Sequence, residues 1–211
     1  MKVLFIGNSH TYVHHVPARF ARYCADHGLA VEVTMLCKGG MGLDWHAKEP
    51  QTAFNLTFGG YDAVVLQHLA HPFPGKESII DGVKAVDPFI PSYTKKYVYM
   101  PWTEKVNPQG QDAMIEACTE AAQAVGATLC PVGKLWHPLR QAHPCEEFYF
   151  VDGEHSSVLG ASLAAVVIGR TFLGMNTDDA EGCYEDAQRL AAWPDPPQIA
   201  FTAGGGVAWA G

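Results

Sequence analysis

Short apolar strands alternate with amphipathic helices along most of the chain. Runs of buried-strand character occur at about residues 2–6, 31–36, 62–67, 96–100 and 128–132. Between them, apolar residues recur every three or four positions, which predicts helices at about 16–27, 43–58, 78–89 and 112–125, the second interrupted by Pro50. Strands and helices in alternation are typical of a mostly parallel sheet with helices on both faces. The pattern therefore predicts an α/β protein.

The last third of the chain is less regular. Residues 138–150 are predicted to be irregular, and an Ala-, Leu- and Val-rich helix follows at about 158–172, with Ser156 or Ser157 as its N-cap. Beyond Gly174, one short helical pattern at 180–190 precedes a Pro-rich stretch and a Gly-rich end. We predict a main domain over residues 1–175 and a peripheral C-terminal extension over residues 176–211.

Composition and charge exclude several classes of protein. A chain of 211 residues, 48% of them hydrophobic, is long enough to bury the core of one domain. Its formal net charge is −8, and no cluster of Lys or Arg is longer than Lys95-Lys96. Nucleic acid and anionic membrane surfaces are therefore not expected as partners, because both require a basic surface. The longest apolar run, residues 163–168, is far shorter than the roughly 20 residues that span a bilayer.

The cysteines and the amino terminus bear on the cellular compartment. The six cysteines include no C-x-x-C pair, which is typical of free thiols in a reducing environment. The first apolar stretch leads into a Gly7 turn without a cleavage pattern, so it is interpreted as a strand rather than a signal peptide. We expect a cytoplasmic protein.

Residues suited to nucleophilic catalysis follow the predicted strands. Ser9 follows strand one, Gly40 follows strand two, Gln67 ends strand three, and Asp152 and His155 lie in the loop before the last long helix. In open α/β sheets, the carboxyl ends of the strands are where ligands bind. A serine hydroxyl needs an adjacent base, the base needs an orienting group, and the oxyanion needs preorganised donors. The sequence supplies a candidate for each part.

Several motifs resemble those of SGNH (GDSL-like) hydrolases. The chain opens Gly7-Asn8-Ser9-His10-Thr11-Tyr12, one residue different from the Gly-Asn-Ser-Phe-Thr-Tyr type motif of one branch of that group. The resemblance continues through motifs in the same order along the chain: Gly39-Gly40, Val64-Val65-Leu66-Gln67, Tyr99-Met100-Pro101-Trp102 and Asp152-Gly153-Glu154-His155. It spans roughly residues 2–173.

The resemblance implies roles for these residues. Ser9 would be the nucleophile, His155 the general base and Asp152 its orienting carboxylate, while the backbone N–H groups of Ser9 and Gly40 would form the oxyanion hole with the side-chain amide of Gln67. The wider family supplies this amide from an asparagine, so Gln67 is a departure. The implied fold is a three-layer α/β/α sandwich with a five-stranded parallel sheet in the flavodoxin-like order 2-1-3-4-5.

The implied activity is hydrolysis of an ester through an acyl-enzyme, with an O-acetyl or other short acyl group on a carbohydrate as the expected substrate and no cofactor. We assign substrate contacts to His10, Trp45, His68 and Trp102. Trp45, Trp102 and Trp136 all follow predicted strand ends, where they can wall a sugar-sized pocket or pack in the core.

Other interpretations stay open at this point. Ser9 and Asp152 are also suitable as helix caps, and a chain with this fold can be an inactive binding module. The pair His68-x-x-His71 suggests a metal-dependent hydrolase, although no H-E-x-x-H motif occurs. The sequence is also compatible with a homo-oligomer.

Overall fold

The structure, a computed structural model, describes residues 1–194 together with the strands Ile199–Phe201 and Val207–Trp209. A five-stranded parallel sheet lies at its centre, in the order β2-β1-β3-β4-β5. Its strands are β1 (Lys2–Gly7), β2 (Glu32–Cys37), β3 (Ala63–Leu66), β4 (Lys95–Tyr99) and β5 (Thr128–Cys130). The predicted fold class and strand order are confirmed. Beyond this sheet, β6 (Ile199–Phe201) and β7 (Val207–Trp209) pair antiparallel.

Helices connect the strands and cover both faces of the sheet. In residues 1–194 they are α1 (Ser9–Tyr12), α2 (Val16–Asp26), α3 (Leu43–His46), α4 (Pro50–Phe58), α5 (Lys76–Val86), α6 (Gln111–Ala124), α7 (Val132–Ala142), α8 (Val158–Leu173) and α9 (Ala180–Ala191). Single turns of 3₁₀-helix occur at Val13–His15, Asp87–Phe89 and Pro108–Gly110. None of the helices in the described part of the chain is long and apolar enough to cross a bilayer.

The two faces of the sheet bury separate clusters because side chains alternate along each strand. Val3 and Phe5 of β1 point into a cluster that contains residues of α2, α7, α8 and α9. Leu4 and Ile6 point to the other face, against α5 and α6. Ile6 aligns with Leu36 of β2 and Leu66 of β3. This register brings the ends of the three strands, and the loops that follow them, to one edge.

Helix α7 corrects the prediction that the chain is irregular from Pro138. The helix begins at Val132 and continues through Pro138 to Ala142. A proline inside a helix removes one backbone hydrogen bond and costs about 3 kcal/mol. Burial of Leu135, Trp136 and Leu139 on one side of α7 offsets this cost, at about 1.5–3 kcal/mol for each large apolar side chain.

The C-terminal segment also differs from the expected peripheral extension. Helix α9 packs on α8, and its residues Cys183, Ala187 and Leu190 belong to the same buried cluster as α2 and α8. Its position is fixed by polar contacts as well, because the side chain of Asp186 accepts hydrogen bonds from Tyr23 and Arg170. The rest of the predicted extension, residues 195–198, 202–206 and 210–211, lies outside the described residues.

Candidate active site

Ser9, His155 and Asp152 form a continuous hydrogen-bonded chain at the carboxyl edge of the sheet. Ser9 is the first residue of α1, directly after β1 and its N-cap Asn8. The Ser9 Oγ lies 2.8 Å from Nε2 of His155, and Nδ1 of His155 lies 2.7 Å from Oδ2 of Asp152. Since Ser9 and His155 are 146 positions apart, the fold itself brings this base to this hydroxyl.

The loop that carries Asp152 and His155 is held by its own hydrogen bonds. Oδ1 of Asp152 accepts from the backbone N–H groups of Glu154 and His155, at 2.9 and 3.0 Å. Partial burial would raise the pKa of Asp152, but these two N–H groups and the His155 ring hold it below the ordinary value. Asp152 is therefore ionised at neutral pH and can only accept hydrogen bonds.

An ionised Asp152 fixes the tautomer of the neutral imidazole. Its carboxylate accepts from Nδ1–H of His155, which leaves the lone pair of Nε2 directed at the Ser9 hydroxyl. This is the geometry in which a histidine removes a proton from serine and an adjacent carboxylate stabilises the imidazolium. The arrangement is chemically competent for nucleophilic attack by Ser9.

The backbone N–H groups of Ser9 and Gly40 are two of the predicted oxyanion donors. No residue in the described ranges accepts a hydrogen bond from the N–H of Ser9 or of Gly40. The Asn8 side chain connects the two segments, since its Nδ2 donates to the carbonyl of Met41 at 3.1 Å and its Oδ1 accepts from the N–H of His10. Gly40 has a φ of +70°, which glycine adopts without strain.

The third predicted donor, Gln67, is occupied inside the protein. Its Oε1 accepts from the N–H of Asn8 at 3.0 Å and from Thr11 Oγ1 at 2.9 Å, and its Nε2 donates to the carbonyl of His68. The residue is fully buried beneath the turn that carries Ser9. These contacts make Gln67 a support of that turn, and the geometry does not present its amide as an oxyanion donor.

The residues expected to contact substrate lie mostly in the interior. Trp102 is fully buried and stacks on Trp136, with 3.6 Å between ring centroids. His68 is also buried, between the N–H of Leu43 and the hydroxyl of Ser78. Burial therefore corrects the expectation of substrate contact for both residues.

Trp102 still affects the candidate site through its polar atoms. Its indole N–H donates to the carbonyl of Glu154 at 2.9 Å, inside the loop that carries Asp152 and His155. His10 is buried behind His155, and the two rings stack with 5.3 Å between centroids. Trp45, in α3, is partly exposed and packs edge-on against His46. Trp102, His10 and Trp45 are not among the residues that line the cleft at Ser9.

A cleft of about 320 Å³ opens at Ser9, and its walls were not foreseen from the sequence. They include Tyr12, Val13, His14 and Phe150 in addition to the three residues of the hydrogen-bonded chain. The apolar pair Phe150-Val151, exposed beside Asp152, was the sequence signal that could have identified one wall. A larger cavity of about 470 Å³ between α2 and α9 includes none of the three residues.

The chain bends sharply at His14, which lines this cleft, and at the next residue, His15. His14 and His15 have φ values of +51° and +57°, in the left-handed region that residues other than glycine seldom adopt. The carbonyl of His14 accepts a hydrogen bond from Nε of the buried Arg19 at 2.9 Å, which holds the bend. Backbone strain of this kind is concentrated at functional sites.

The pair His68-x-x-His71 does not form a metal centre with its neighbours. His71 turns away from His68 toward His10 and the carbonyl of Trp102. Within the described ranges, no group of three or more His, Cys, Asp or Glu side chains is arranged to hold a metal ion.

Comparison with known proteins places this fold among those of lipolytic esterases. No protein-family model matches the chain, and no curated protein matches its sequence. A DUF4886 family protein from Bacteroides uniformis superposes with a TM-score of 0.69 at 18% identity, over 90% of this chain and 93% of that one. A member of the lipolytic protein G-D-S-L family from Veillonella parvula gives a TM-score of 0.58 at 12% identity, over 84% and 98%.

An enzyme with a known activity is also similar in structure. Axe2, an acetylxylan esterase from Geobacillus stearothermophilus, gives a TM-score of 0.58 at 12% identity, over 92% of this chain and 94% of that one. At these identities the likeness is one of fold. The chain has the α/β fold of the GDSL-type hydrolases.

Proposed function

We propose that the protein is a serine esterase of the SGNH type, with Ser9 as nucleophile, His155 as general base and Asp152 as the orienting carboxylate. The hydrogen-bonded chain from Asp152 through His155 to Ser9 is the observation that carries the proposal. Two solved structures of the same fold, an acetylxylan esterase and a member of the lipolytic protein G-D-S-L family, support it.

The proposed reaction proceeds through an acyl-enzyme. Nε2 of His155 takes the hydroxyl proton as Ser9 Oγ attacks the ester carbonyl, and the N–H groups of Ser9 and Gly40 stabilise the oxyanion. The imidazolium, paired with Asp152, then gives its proton to the leaving alcohol. Water activated by His155 hydrolyses the acyl-enzyme and restores Ser9.

We propose a short acyl group, such as O-acetyl, as the acyl part of the substrate, and a carbohydrate as one candidate for the alcohol. The acetylxylan esterase among the structures of similar fold supports both. The partly apolar wall of Val13 and Phe150 accommodates an acyl methyl group or the apolar face of a sugar ring.

Turnover of p-nitrophenyl acetate by Ser9→Ala tests the proposal. We expect kcat to fall by a factor on the order of 10³ or more, because the nucleophile is lost. Ser92→Ala, at an exposed turn remote from the triad, is the matched control and should keep the wild-type rate. A fluorophosphonate probe should label the wild type and Ser92→Ala but leave Ser9→Ala unlabelled. Full activity in Ser9→Ala would exclude the mechanism.

The open alternative of an inactive binding module gives a different result in the same experiment. Such a module would show no turnover and no fluorophosphonate labelling in the wild type. The 2.8 Å contact between Ser9 and His155 favours the esterase, because a hydrogen-bonded base activates the serine.

A further inference from the structure

Strand β2 is the first strand in the sheet order and has a neighbour on one side only. Among the described strands, β1 alone pairs with β2, while β6 and β7 pair with each other. The pairing of β2 with β1 is continuous from Glu32 to Cys37, so β2 contains no bulge, and its sequence contains no proline. Six residues of regular strand therefore have an open side, which faces away from β1.

Three residues present backbone groups on this open side of β2. The N–H groups of Glu32 and Lys38 donate in the direction of β1, to carbonyl oxygens at 2.8 and 3.1 Å. Backbone groups alternate between the two sides of a strand, so the N–H and C=O groups of Val33, Met35 and Cys37 point away from β1. Within the described part of the chain, no donor or acceptor reaches these groups. They can pair with another strand.

Strand β2 lacks the features that usually protect an open strand. Native proteins keep such strands from pairing by proline, by bulges or by charged side chains along them. In β2 the charges stand only at the ends, at Glu32 and at Lys38 just beyond the last residue, with none between them. Met35, at the centre, is 38% exposed. The middle of the strand therefore offers an uncharged and accessible pairing surface.

The charges at the ends of β2 indicate which strand fits its open side. Glu32 and Lys38 are exposed, and neither has an ion-pair partner among the described residues. When a second copy of β2 lies antiparallel and centred on Met35, Glu32 of each copy stands directly opposite Lys38 of the other. Opposite charges in directly facing positions stabilise an antiparallel pair of strands, whereas like charges destabilise it.

The same register also satisfies the open backbone groups. Met35 faces Met35 and Val33 faces Cys37, so the residues whose groups point outward form the hydrogen-bonded pairs. Three such pairs exchange about six backbone hydrogen bonds. A register centred one residue earlier places Glu32 opposite Leu36 and leaves the charges unpaired. We propose that the protein is a symmetric dimer in which β2 pairs antiparallel with β2 of a second copy.

Charge reversal tests the dimer and its register. Sedimentation equilibrium over a range of protein concentrations should show a monomer–dimer equilibrium for the wild type. Glu32→Lys and Lys38→Glu each place two like-charged pairs in the interface, and each should weaken dimerisation by roughly tenfold or more. The double variant Glu32→Lys/Lys38→Glu restores opposite charges and should recover most of the wild-type affinity. The single variants change the net charge in opposite directions, so a general effect of net charge cannot weaken both.

A cross-link at the centre of the interface tests the same register without disturbing the charges. Residues that face each other in a hydrogen-bonded antiparallel pair have Cα atoms about 5.5 Å apart, within the span of a disulfide. Met35→Cys, combined with Cys145→Ser to remove the exposed native thiol, should form a covalent dimer under mild oxidation. Met175→Cys in the same background is the matched control, since Met175 is 37% exposed, and it should stay monomeric on a non-reducing gel.

Several results would overturn the β2 dimer. The wild type would remain a monomer at every concentration if the open side of β2 instead binds a strand of another protein. Single reversals that leave dimerisation unchanged, or equal cross-linking through Met35→Cys and Met175→Cys, would exclude pairing through β2. A double variant that recovers no affinity would exclude the register centred on Met35. Near-ultraviolet circular dichroism of each variant separates loss of the dimer from loss of the fold.

Discussion

At the scale of single residues, Asp152 has a fixed hydrogen-bond partner for each of its carboxylate oxygens. Oδ1 holds the turn through two backbone N–H groups, and Oδ2 holds the His155 ring. In Asp152→Asn, Oδ1 of the new amide can still accept from the turn, but its NH₂ would face Nδ1 of His155. The imidazole would then favour the tautomer whose Nε2 carries the proton, and that tautomer cannot act as a base toward Ser9.

We therefore expect Asp152→Asn to fold normally and to lose activity. The expected decrease in kcat is a factor of about 10²–10⁴. Steady-state kinetics measure the loss, and near-ultraviolet circular dichroism checks the fold. Since the pKa of Asp152 is already below its ordinary value, mild acid should not reproduce the effect of the substitution by protonating this carboxylate. An unchanged kcat would show that the carboxylate does not orient the base.

Sequence patterns predicted which residues form the candidate site better than they predicted side-chain contacts. Strand ends and the opening motif pointed to Ser9, Asp152 and His155, and the structure brings these three together; their catalytic roles stay predictions. The same patterns gave no sign that Trp102 turns inward to stack on Trp136 or that His10 meets His71, 61 positions away. Which way a side chain turns after a strand end depends on the packing of distant helices, which a local pattern does not record.

At the scale of elements, the Gly39–Gly42 loop is brought to Ser9 by the register of β1 with β2. Gly7 aligns with Cys37, so the loops after the two strands begin side by side, and Asn8 joins them through the Met41 carbonyl. The position of the Gly40 N–H thus depends on a positive φ that an L-residue with a side chain adopts at a cost of about 1–2 kcal/mol. A Cβ at Gly40 would meet no atom within 4 Å, so strain is the only penalty.

Gly40→Ala and Gly60→Ala form a matched pair that separates this strain from function. Gly60 has a φ of +65° and equally open space, but it lies before β3, at the opposite edge of the sheet. Both variants should lose about 1–2 kcal/mol of unfolding free energy, measured by urea denaturation. Only Gly40→Ala should lose kcat, by about tenfold or more, because its N–H is moved from the oxyanion. Equal kcat losses in both variants would argue against an oxyanion donor at Gly40.

Element boundaries were predicted well wherever one local pattern dominated. The strands, α2, α6 and α8 begin and end within one or two residues of the expected positions. Helix α7 was missed because Pro138 is a strong local signal against a helix, and the burial of Trp136 and Leu139 that outweighs it is a tertiary effect. Local propensity and packing agree in the strands, α2, α6 and α8 and compete in α7.

At the scale of the whole molecule, α9 is attached to the domain through a nearly buried ion pair. Arg170 of α8 and Asp186 of α9 are 2.8 Å apart, with side chains 8% and 9% exposed. The Tyr23 hydroxyl of α2 donates to the same carboxylate, and Arg189 pairs with its other oxygen. Three helices thus meet at Asp186, which explains why the expected peripheral extension is instead part of the core along α9.

Breaking this contact should destabilise the entire domain. Among the described residues, Asp186→Asn leaves the buried Arg170 guanidinium with the half-exposed Asp179, at 3.3 Å, as its remaining carboxylate partner and with the carbonyl of Asn176, at 3.0 Å, as a neutral acceptor. Loss of one member of a buried pair costs about 3–5 kcal/mol, and the remaining contact places the expected loss at the lower end, about 3 kcal/mol at neutral pH. Urea denaturation measures it, with Asp178→Asn, at an exposed ion pair with Lys134, as the control near zero.

The stability that Asp186 contributes should depend on pH. Burial would raise the pKa of Asp186, but Arg170, Tyr23 and Arg189 hold it below the ordinary value. The folded protein therefore binds the Asp186 proton more weakly than the unfolded chain, so the contribution is complete above the unfolded carboxyl pKa of about 3.9 and is lost as the pH falls through the folded value. The stability difference between the wild type and Asp186→Asn should accordingly shrink as the pH is lowered below about 4. A difference that stays constant down to strong acid would mean that packing of the side chain, rather than its charge, attaches α9 to the domain.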